Sequence, residues 1–447
     1  MIETRPTTFL PAKRGLRGVL TVPGDKSISH RALLLGAVSS GTVKVTGFLR
    51  SADTLATLAA IRALGVVVED HGEILTVQGR GWDGLAEPED VIDVANAGTL
   101  IRLLPGLVAP LPFLTILTGD ASIRQRPMAR IVGPLAAMGA TVTARAGDTL
   151  PPIALRGGPL MGIVHHMPVA SAQVKSCVLL AGLRASGETA VVEPGASRDH
   201  TERLLRYGGA RVEREGLEDG AGTVRVWPVE RLTFTEIAVP GDFSSAAFFL
   251  VAALLVDGSE VTVANAGLNP SRTALLQVLR DMGAQLTVQP DEAGGPEPVG
   301  RITARTSSLM AVDLDPRLVP NLIDELPLFL LAAAKARGVS RLRGAAELRA
   351  KESDRLSAMA QVLRALGARV EELPDGMEIE GRPNGWLGGS VSVFGDHRIA
   401  MVGAVAGLAS QKGVTIDDAD CIGVSYPGFS EAVASLGGAA ILSEGAR

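Results

Sequence analysis

A short sequence pattern recurs six times along this 447-residue chain and limits the folds that the chain can adopt. Each copy is the end of a helix-like run, then a glycine, then a short strand-like run; the copies read ALGVVVE, AMGATVT, YGGARVE, DMGAQLT, ALGARVE and SLGGAAI. Their glycines lie at positions 65, 139, 209, 283, 367 and 437, so the spacings are 70 to 84 residues. Glycine commonly ends a helix in the left-handed conformation, and β-branched residues favour a following strand. Chance could produce one such pair but not six, so the pattern predicts six similar units.

A second repeat groups these units into two halves. The segment Val22-Pro-Gly-Asp-Lys-Ser returns 217 residues later as Val239-Pro-Gly-Asp-Phe-Ser. Length alone would suggest about three domains, but the repeat predicts two domains of three units each. A unit of about 70 residues has room for about two helices and four short strands.

Composition excludes several functional classes. The net charge of -5 and the charged fraction of 20% argue against a disordered chain and against a basic nucleic-acid binder. No apolar run is long enough to cross a membrane without a proline interruption, and the first twenty residues lack the apolar core of a signal peptide. The two cysteines cannot build a disulfide framework, so we expect a cytoplasmic protein.

Short polar clusters stand directly before apolar runs with helical spacing. They occupy residues 24–31, 96–99, 171–173, 324–325, 351–355 and 396–398. We interpret them as helix N-termini, which attract phosphates and carboxylates through unpaired N–H groups and the helix dipole. Ordinary capping and solvated ion pairs are the alternative for each cluster alone. However, cations lie at or just before these starts in an acidic chain, which favours a shared cleft for a polyanion; they are Lys26, Arg31, Arg126, Lys351, Arg355 and Arg398.

Other sites are not supported by the residues. The segment at 24–27 is not a phosphate-binding P-loop, because Asp25 precedes Lys26 where that motif requires glycine. His165 and His166 would point to opposite faces of a strand, so we expect no metal there. We expect Cys177 in an apolar helix and Cys421 in a strand-like run to be buried small hydrophobes.

Taken in chain order, these motifs resemble the 5-enolpyruvylshikimate-3-phosphate synthase family from about Gly18 to Leu436, and Arg198-Asp-His-Thr is similar to its class II bacterial branch. The matching segments are GDKSISHR at 24–31, NAGT at 96–99, RP at 126–127, SAQ at 171–173, KESDR at 351–355 and DHR at 396–398. The resemblance implies an α/β fold of two domains, each of three βαβαββ units around central helices, an inside-out α/β barrel. The implied domains are 21–241 and 1–20 plus 242–447, with an active site in the cleft between them that forms on closure.

The resemblance also implies a reaction. The carboxyvinyl group of phosphoenolpyruvate would pass to the 5-hydroxyl of shikimate 3-phosphate, and phosphate would leave through a tetrahedral intermediate. The family needs no metal or organic cofactor, and we expect a monomer that binds neither nucleic acid nor membrane.

Residue roles follow only from the resemblance. The implied catalytic residues are Lys26, Asp324 as the base toward the 5-hydroxyl and Glu352 as the proton donor to the methylene. Shikimate 3-phosphate would contact Lys26, Ser27, Arg31, Ser171, Ala172, Gln173, Arg198, Asp324 and Lys351. Phosphoenolpyruvate would contact Lys26, Gly98, Arg126, Gln173, Arg355 and Arg398.

The chain departs from the family pattern at two positions. Val424 stands where many members carry a lysine, which removes one expected phosphoenolpyruvate contact, and Ala172 replaces a common second serine. Position 98 is glycine, so we expect sensitivity to glyphosate, which occupies the phosphoenolpyruvate pocket in the family.

Three alternatives remain open. A UDP-N-acetylglucosamine enolpyruvyl transferase usually has Lys-Asn where this chain has Lys26-Ser27, and carries a cysteine on a mobile loop. A non-catalytic anion-binding homologue would not need Asp324 and Glu352 beside the cations. An RNA-processing cyclase of similar architecture is disfavoured by the acidic pI and the few aromatic residues.

Overall fold

The computed structural model describes residues 6–216, 221–292 and 294–442, which cluster into two compact units. We call residues 24–240 with 294–297 the central unit, and residues 6–23, 241–292 and 298–442 the terminal unit. Each unit has its own buried apolar core. The chain changes unit at Pro23–Gly24 and at Pro240–Gly241, within the two repeated Val-Pro-Gly-Asp segments.

The central unit contains three four-stranded sheets with one common topology. In spatial order their strands are Glu236–Ala238, Ser40–Thr46, Ile74–Arg80 and Val68–Asp70; Ile92–Asp93, Leu114–Thr118, Leu150–Arg156 and Thr141–Ala144; and Val164–His166, Thr189–Glu193, Gly222–Val226 and Val212–Glu215. In each sheet the first pair is parallel and the other two are antiparallel. A parallel pair of short strands, Leu160–Met161 with Ala185–Ser186, lies beside them.

The terminal unit repeats this topology. Its sheets contain Arg17–Thr21, Glu260–Gly267, Val299–Arg305 and Gln285–Pro290; Val339–Leu342, Gly376–Glu380 and Arg369–Leu373; and Gly389–Val391, Val414–Ile416, Thr7–Leu10 and Ala439–Leu442. The three-stranded sheet lacks the first strand. At its position, Met310 and Asp313 form isolated parallel bridges to Arg337 and Arg341. The N-terminal strand Thr7–Leu10 completes the last sheet, so both ends of the described chain belong to one repeat.

Each repeat has a buried first helix and a second helix that is partly exposed. The buried helices are Lys26–Ala37, Leu100–Val108, Ala172–Gly182, Phe243–Leu255, Leu326–Lys335 and His397–Ala409. The second helices are Ala52–Ala63, Ala129–Ala137, His200–Tyr207, Ala274–Asp281, Arg355–Ala365 and Phe429–Ser435. Shorter helical turns are Ile123–Gln125, Arg145–Asp148, Pro316–Leu318, Val319–Leu322, Ala346–Ala350 and Asp420–Val424. A helix that is apolar on every side is stable only inside a core, which explains the central position of the first set.

Small residues allow the central helices to approach closely. A Cβ atom added to Gly106 would lie 2.1 Å from the carbonyl oxygen of Cys177 on the neighbouring helix. Any larger residue at position 106 would force the two helices apart. Cys177 itself is fully buried, as predicted.

The six repeat glycines all end helices in the left-handed conformation. Their φ angles range from +82° to +109°. At Gly65 the N–H donates to the carbonyl of Arg62 at 2.9 Å, and the next N–H donates to the carbonyl of Ile61 at 3.1 Å. The same pair of bonds occurs at the other five glycines, which is the Schellman pattern of helix termination. The six predicted helix-to-strand junctions are therefore confirmed.

The cluster at residues 24–31 forms a helix N-terminus, as predicted: the helix begins at Lys26, and Asp25 caps it. One local prediction was wrong. Cys421 lies in the short helical turn Asp420–Val424 rather than in a strand, and it is only partly buried. Among the described residues, every helix is too short or too polar to span a lipid bilayer.

Candidate active site

The first predicted cluster lies at the N-terminus of the helix Lys26–Ala37 in the central unit. Asp25 caps this helix by accepting a hydrogen bond from the N–H of Ile28 at 2.9 Å. The Lys26 ammonium pairs with the carboxylate of Asp53, and about a third of the Lys26 side chain is exposed. Burial, with the charges of Lys26 and Arg31, holds the pKa of His30 well below its usual value, so His30 is neutral.

Arg31 lies inside the central unit and is only 4% exposed. Its Nε donates to Thr201 Oγ1 at 2.7 Å, and its Nη2 donates to Ser176 Oγ at 2.8 Å. Its Nη1 donates to the carbonyl of Ser27 at 2.9 Å. Burial lowers the pKa of Arg31 to about 10, against the opposing charge of Glu202. The guanidinium is thus a cation held mainly by neutral oxygens.

Gly98 and Arg126 form a second cluster. A Cβ atom at position 98 would lie 2.6 Å from Arg126 Nη1, so the guanidinium rests directly against the glycine. Arg126 also donates to Asn96 Oδ1 at 3.1 Å. Arg102, which the sequence analysis did not single out, donates to Gln173 Oε1 at 2.8 Å, and burial lowers its pKa to about 10. Arg102 therefore joins this cluster to the helix Ala172–Gly182.

Ser171 caps that helix, since its Oγ accepts from the N–H of Val174 at 3.4 Å. Gln173 Nε2 donates to Thr99 Oγ1 at 3.1 Å, and Ser176 Oγ donates to the carbonyl of Ala172 at 2.6 Å. Arg198 lies near enough to Arg31 to help lower its pKa. The central unit thus brings its predicted residues into one connected region; they are Lys26, Ser27, Arg31, Gly98, Arg126, Ser171, Ala172, Gln173 and Arg198.

In the terminal unit, three arginines surround the carboxylate of Asp324. Arg355 Nη1 lies 3.7 Å from Oδ1, Arg398 Nε lies 4.0 Å from Oδ1, and Arg272 Nη1 lies 3.6 Å from Oδ2. Arg398 also donates to the Asp324 carbonyl at 3.1 Å. Three nearby positive charges favour the ionised carboxylate.

Arg272 carries no motif and was missed in the sequence. It is 4% exposed, and its Nη2 donates to Ser244 Oγ at 2.7 Å and to Asp242 Oδ1 at 3.2 Å. These contacts fix it to the start of the buried helix Phe243–Leu255. Only the fold brings this helix to Asp324, so no local pattern could have identified the pair.

Arg355 joins Glu352 and Asp396 in the same unit. Its Nε donates to Asp396 Oδ2 at 2.8 Å, and its Nη2 donates to Glu352 Oε2 at 2.6 Å. Burial opposes ionisation of Glu352, but Arg355, weaker contributions from neighbouring groups and a backbone hydrogen bond together outweigh it, so the pKa of Glu352 is lowered. The pKa of Asp396 is lowered in the same way. Asp396 also caps the helix His397–Ala409, a position that its sequence context had indicated.

Lys351 adjoins Glu352 in the chain but makes its ion pair with a residue outside this cluster. Lys351 Nζ pairs with Glu347 at 2.7 Å, four residues earlier, so the solvated ion pair is the arrangement that the structure shows. Val424, which stands in place of the common lysine, is 42% exposed. Among residues 6–216, 221–292 and 294–442, no group of three or more His, Cys, Asp or Glu side chains is arranged to hold a metal ion.

Comparison with known proteins now decides the family. The family model described as EPSP synthase (3-phosphoshikimate 1-carboxyvinyltransferase) matches residues 11–433. The chain belongs to the EPSP synthase family. This confirms the resemblance drawn from the motifs, including those around Lys26, Arg355 and Arg398.

Relatives of this EPSP synthase family member are similar to it in sequence along nearly the whole chain. A Geobacter sp. protein named 3-phosphoshikimate 1-carboxyvinyltransferase is 52% identical over 424 residues, which are 94% of this chain and 97% of the relative. A Bacillus cereus protein of the same name is 47% identical over 96% of this chain and 99% of its own length. The structure of EPSP synthase from Acinetobacter baumannii matches with a TM-score of 0.91 and 41% identity, covering 99% of this chain and 100% of that chain. The predicted α/β fold of the EPSP synthase family is therefore confirmed.

Proposed function

We propose that this chain transfers the carboxyvinyl group of phosphoenolpyruvate to the 5-hydroxyl of shikimate 3-phosphate and releases phosphate. The observation that carries this function is identity of about half over 94% of the chain to relatives named for that reaction. The arrangement of Asp324 and Glu352 among arginines agrees with it. The reaction serves the shikimate pathway and thus the formation of chorismate and the aromatic amino acids.

The reaction has two halves that need opposite proton movements. In the first half, the 5-oxygen bonds to C2 of phosphoenolpyruvate, the hydroxyl proton passes to a base, and the methylene carbon gains a proton. In the second half, the C2–O bond to phosphate breaks, the new methyl group loses a proton, and the double bond returns. One group can act first as acid and then as base if its pKa lies near the working pH.

Asp324 is proposed as the base toward the 5-hydroxyl. Three guanidinium groups within 4.0 Å favour its ionised form, which can accept a proton. The same arginines stabilise negative charge on a bound anion, so base and anion site share one set of cations.

Glu352 is proposed as the proton donor to the methylene carbon. In the structure, Arg355 lowers the pKa of Glu352, which favours the carboxylate. We infer that phosphoenolpyruvate, by bringing negative charge to Arg355, raises the pKa of Glu352 and lets it carry the proton. Lys26 is the second proposed proton carrier, and its partner Asp53 keeps the ammonium in place.

Substrate contacts are proposed on the remaining predicted residues. Phosphoenolpyruvate would bind to Lys26, the Gly98 backbone, Arg126, Gln173, Arg355 and Arg398. Shikimate 3-phosphate would bind to Lys26, Ser27, Arg31, Ser171, Ala172, Gln173, Arg198, Asp324 and Lys351. Arginine forks suit carboxylate and phosphate groups because they can donate two parallel hydrogen bonds.

We also propose that the protein works as a cytoplasmic monomer on these two small molecules, without nucleic acid or membrane. The support is the net charge of -5, which is unlike that of a basic nucleic-acid binder, and the two cysteines, both of which are free. Burial raises the pKa of both thiols to about 12, so neither is poised as a nucleophile.

The test is phosphate release from phosphoenolpyruvate by the purified protein. We expect release that depends on shikimate 3-phosphate and is absent with UDP-N-acetylglucosamine as acceptor. Turnover with the UDP-sugar alone would sink the proposal in favour of the related transferase. Tight binding of both substrates without any phosphate release would instead indicate a non-catalytic homologue.

A further inference from the structure

A buried ion cluster in the central unit has no place in the mechanism above. Lys175, Glu193 and Glu202 are at most 1% exposed. Lys175 Nζ lies 2.9 Å from Glu193 Oε2 and 2.7 Å from Glu202 Oε1. A third acceptor, the carbonyl of Ser197, lies 3.4 Å away. Because Lys175 is fully buried beside these three oxygens, a ligand does not reach its ammonium and its role is indirect.

The cluster joins one helix that carries predicted substrate residues to the two elements that flank Arg198 in the chain. Lys175 belongs to the helix Ala172–Gly182, whose first turn holds Ala172 and Gln173. Glu193 ends the strand Thr189–Glu193, and Glu202 lies in the first turn of the helix His200–Tyr207. One buried ammonium thus fixes the relative positions of these three elements.

The loop after this strand is tied to the same cluster. Ser197 Oγ donates to Glu193 Oε1 at 2.5 Å, while the Ser197 carbonyl faces Lys175. Ser197 is therefore bound through both its side chain and its backbone. The next residue along the chain is Arg198, so the bonds of Ser197 restrict the position of the Arg198 backbone.

The charge of the cluster also favours cations at this place. Two carboxylates and one ammonium carry a net charge of about -1, and an uncompensated buried charge is costly. The charge of Glu202 opposes the loss of the proton from buried Arg31, while Arg198 has the reverse effect. Arg31 and Arg198 are thus near enough to repel each other, and Glu202 of the cluster offsets part of that repulsion, which suits binding of a doubly charged anion.

We propose that Lys175, Glu193 and Glu202 are positioning residues that set Arg198 and the start of the helix Ala172–Gly182 for recognition of the acceptor's phosphate group. The proposal rests on the proposed function, since shikimate 3-phosphate supplies that phosphate. It predicts that damage to the cluster weakens recognition of the phosphate more than recognition of the rest of the acceptor.

The experiment compares two acceptors that differ only in the phosphate. Calorimetry gives the Kd of shikimate 3-phosphate and of shikimate for the wild-type protein and for two variants. Ser197→Ala removes the hydrogen bond to Glu193 and leaves the ions in place. Lys175→Met combined with Glu193→Gln removes one positive and one negative charge, so the net charge of the cluster is unchanged.

We expect the ratio of the Kd of shikimate to the Kd of shikimate 3-phosphate to fall about threefold in Ser197→Ala and at least tenfold in the double variant. The matched control is Ser392→Ala, which removes a similar serine–carboxylate bond of 2.6 Å to Asp417 in the terminal unit. Its ratio should equal that of the wild type.

Two results would overturn the proposal. Both Kd values could rise together in the double variant, which would mean a general structural role, or neither could change. A wild-type protein that binds shikimate 3-phosphate no more tightly than shikimate would overturn the proposed function as well. The wild-type measurement therefore separates failure of the function from failure of this inference.

Discussion

Two arginines of the central unit, Arg31 and Arg126, have different partners from Arg355 of the terminal unit. In the central unit, Arg31 bonds to the hydroxyls of Thr201 and Ser176, and Arg126 bonds to the amide of Asn96. In the terminal unit, Arg355 bonds to the carboxylates of Glu352 and Asp396. Neutral partners hold an arginine without cancelling its charge, whereas carboxylates cancel part of the charge and can exchange protons.

This difference suggests a division of labour. The charges of Arg31 and Arg126 are not cancelled by the neutral partners named above, whereas Arg355 favours the ionised forms of Glu352 and Asp396. The buried helices make both arrangements possible, because their capped N-termini place the polar residues at the ends of apolar helices. The predictions below test this contrast.

The largest expected effect is on catalysis in the terminal unit. Asp324→Asn keeps the shape of the side chain but removes the base, so kcat should fall about 1,000-fold in a phosphate-release assay. Asp313→Asn removes a carboxylate from an exposed ion pair with Arg341 in the same unit and should leave kcat unchanged. A loss of less than tenfold in Asp324→Asn would remove Asp324 from the mechanism.

The next largest effect concerns protein stability, and it compares the contributions of one ion pair in each unit. Asp396→Asn removes the fully buried carboxylate that pairs with Arg355 and should lower the free energy of unfolding by about 3 kcal/mol. Asp53→Asn should cost about 1 kcal/mol, since Lys26 is 31% exposed and water can solvate it. Urea unfolding of both variants measures the difference. Equal losses of unfolding free energy in the two variants would show that burial does not make the Arg355–Asp396 pair more important for stability than the Lys26–Asp53 pair.

A buried neutral histidine in each unit makes stability depend on pH. Burial first, then the neighbouring arginines, lowers the pKa of His397 to about 3, and the pKa of His30 is also well below 6.5. An unfolded histidine titrates near 6.5, so the unfolded chain binds protons first as the pH falls. Each histidine should therefore lower the free energy of unfolding by about 1.4 kcal/mol per pH unit, or about 2 kcal/mol between pH 6.5 and 5.

Urea unfolding at pH 7, 6 and 5 checks this dependence. His30→Gln and His397→Gln should each flatten it, while His166→Gln, at an exposed position, should not. The lowered pKa of Asp396 acts only below its usual value near 3.8 and does not disturb this window. If both variants leave the pH dependence of the free energy of unfolding unchanged, the assignment of neutral histidines is wrong.

The smallest predicted effect concerns Gly98 in the central unit. In Gly98→Ala, the new methyl group would lie 2.6 Å from Arg126 Nη1 and must displace the guanidinium. Loss of one charge-assisted hydrogen bond should weaken glyphosate inhibition about tenfold and raise the KM for phosphoenolpyruvate several-fold. Gly133→Ala adds a methyl group to a helix with nothing within 4 Å and serves as the control. Unchanged inhibition in Gly98→Ala would contradict the expected glyphosate sensitivity.

Much of the fold could be predicted because its signals are local. The six glycines terminate helices within a few residues of sequence, and the capping residues Asp25, Ser171 and Asp396 precede the helices that they cap. The short helical turn around Cys421 was not predicted, since its residues look like a strand in the sequence.

The positioning contacts could not be predicted in this way. Lys175 and Glu193 are 18 residues apart on different elements, and nothing in either segment indicates the other. Arg272 reaches Asp324 only because two repeats of the terminal unit pack together. Such pairs depend on tertiary packing, which the local pattern does not encode.

The most direct test of the central claim is the product itself. Incubation of the protein with phosphoenolpyruvate and shikimate 3-phosphate, followed by mass spectrometry and a phosphate assay, measures both products of one turnover. The account predicts one phosphate released for each acceptor that gains a carboxyvinyl group. Phosphate released without any carboxyvinyl product would mean hydrolysis, and would contradict the assignment of Asp324 and Glu352 to carboxyvinyl transfer.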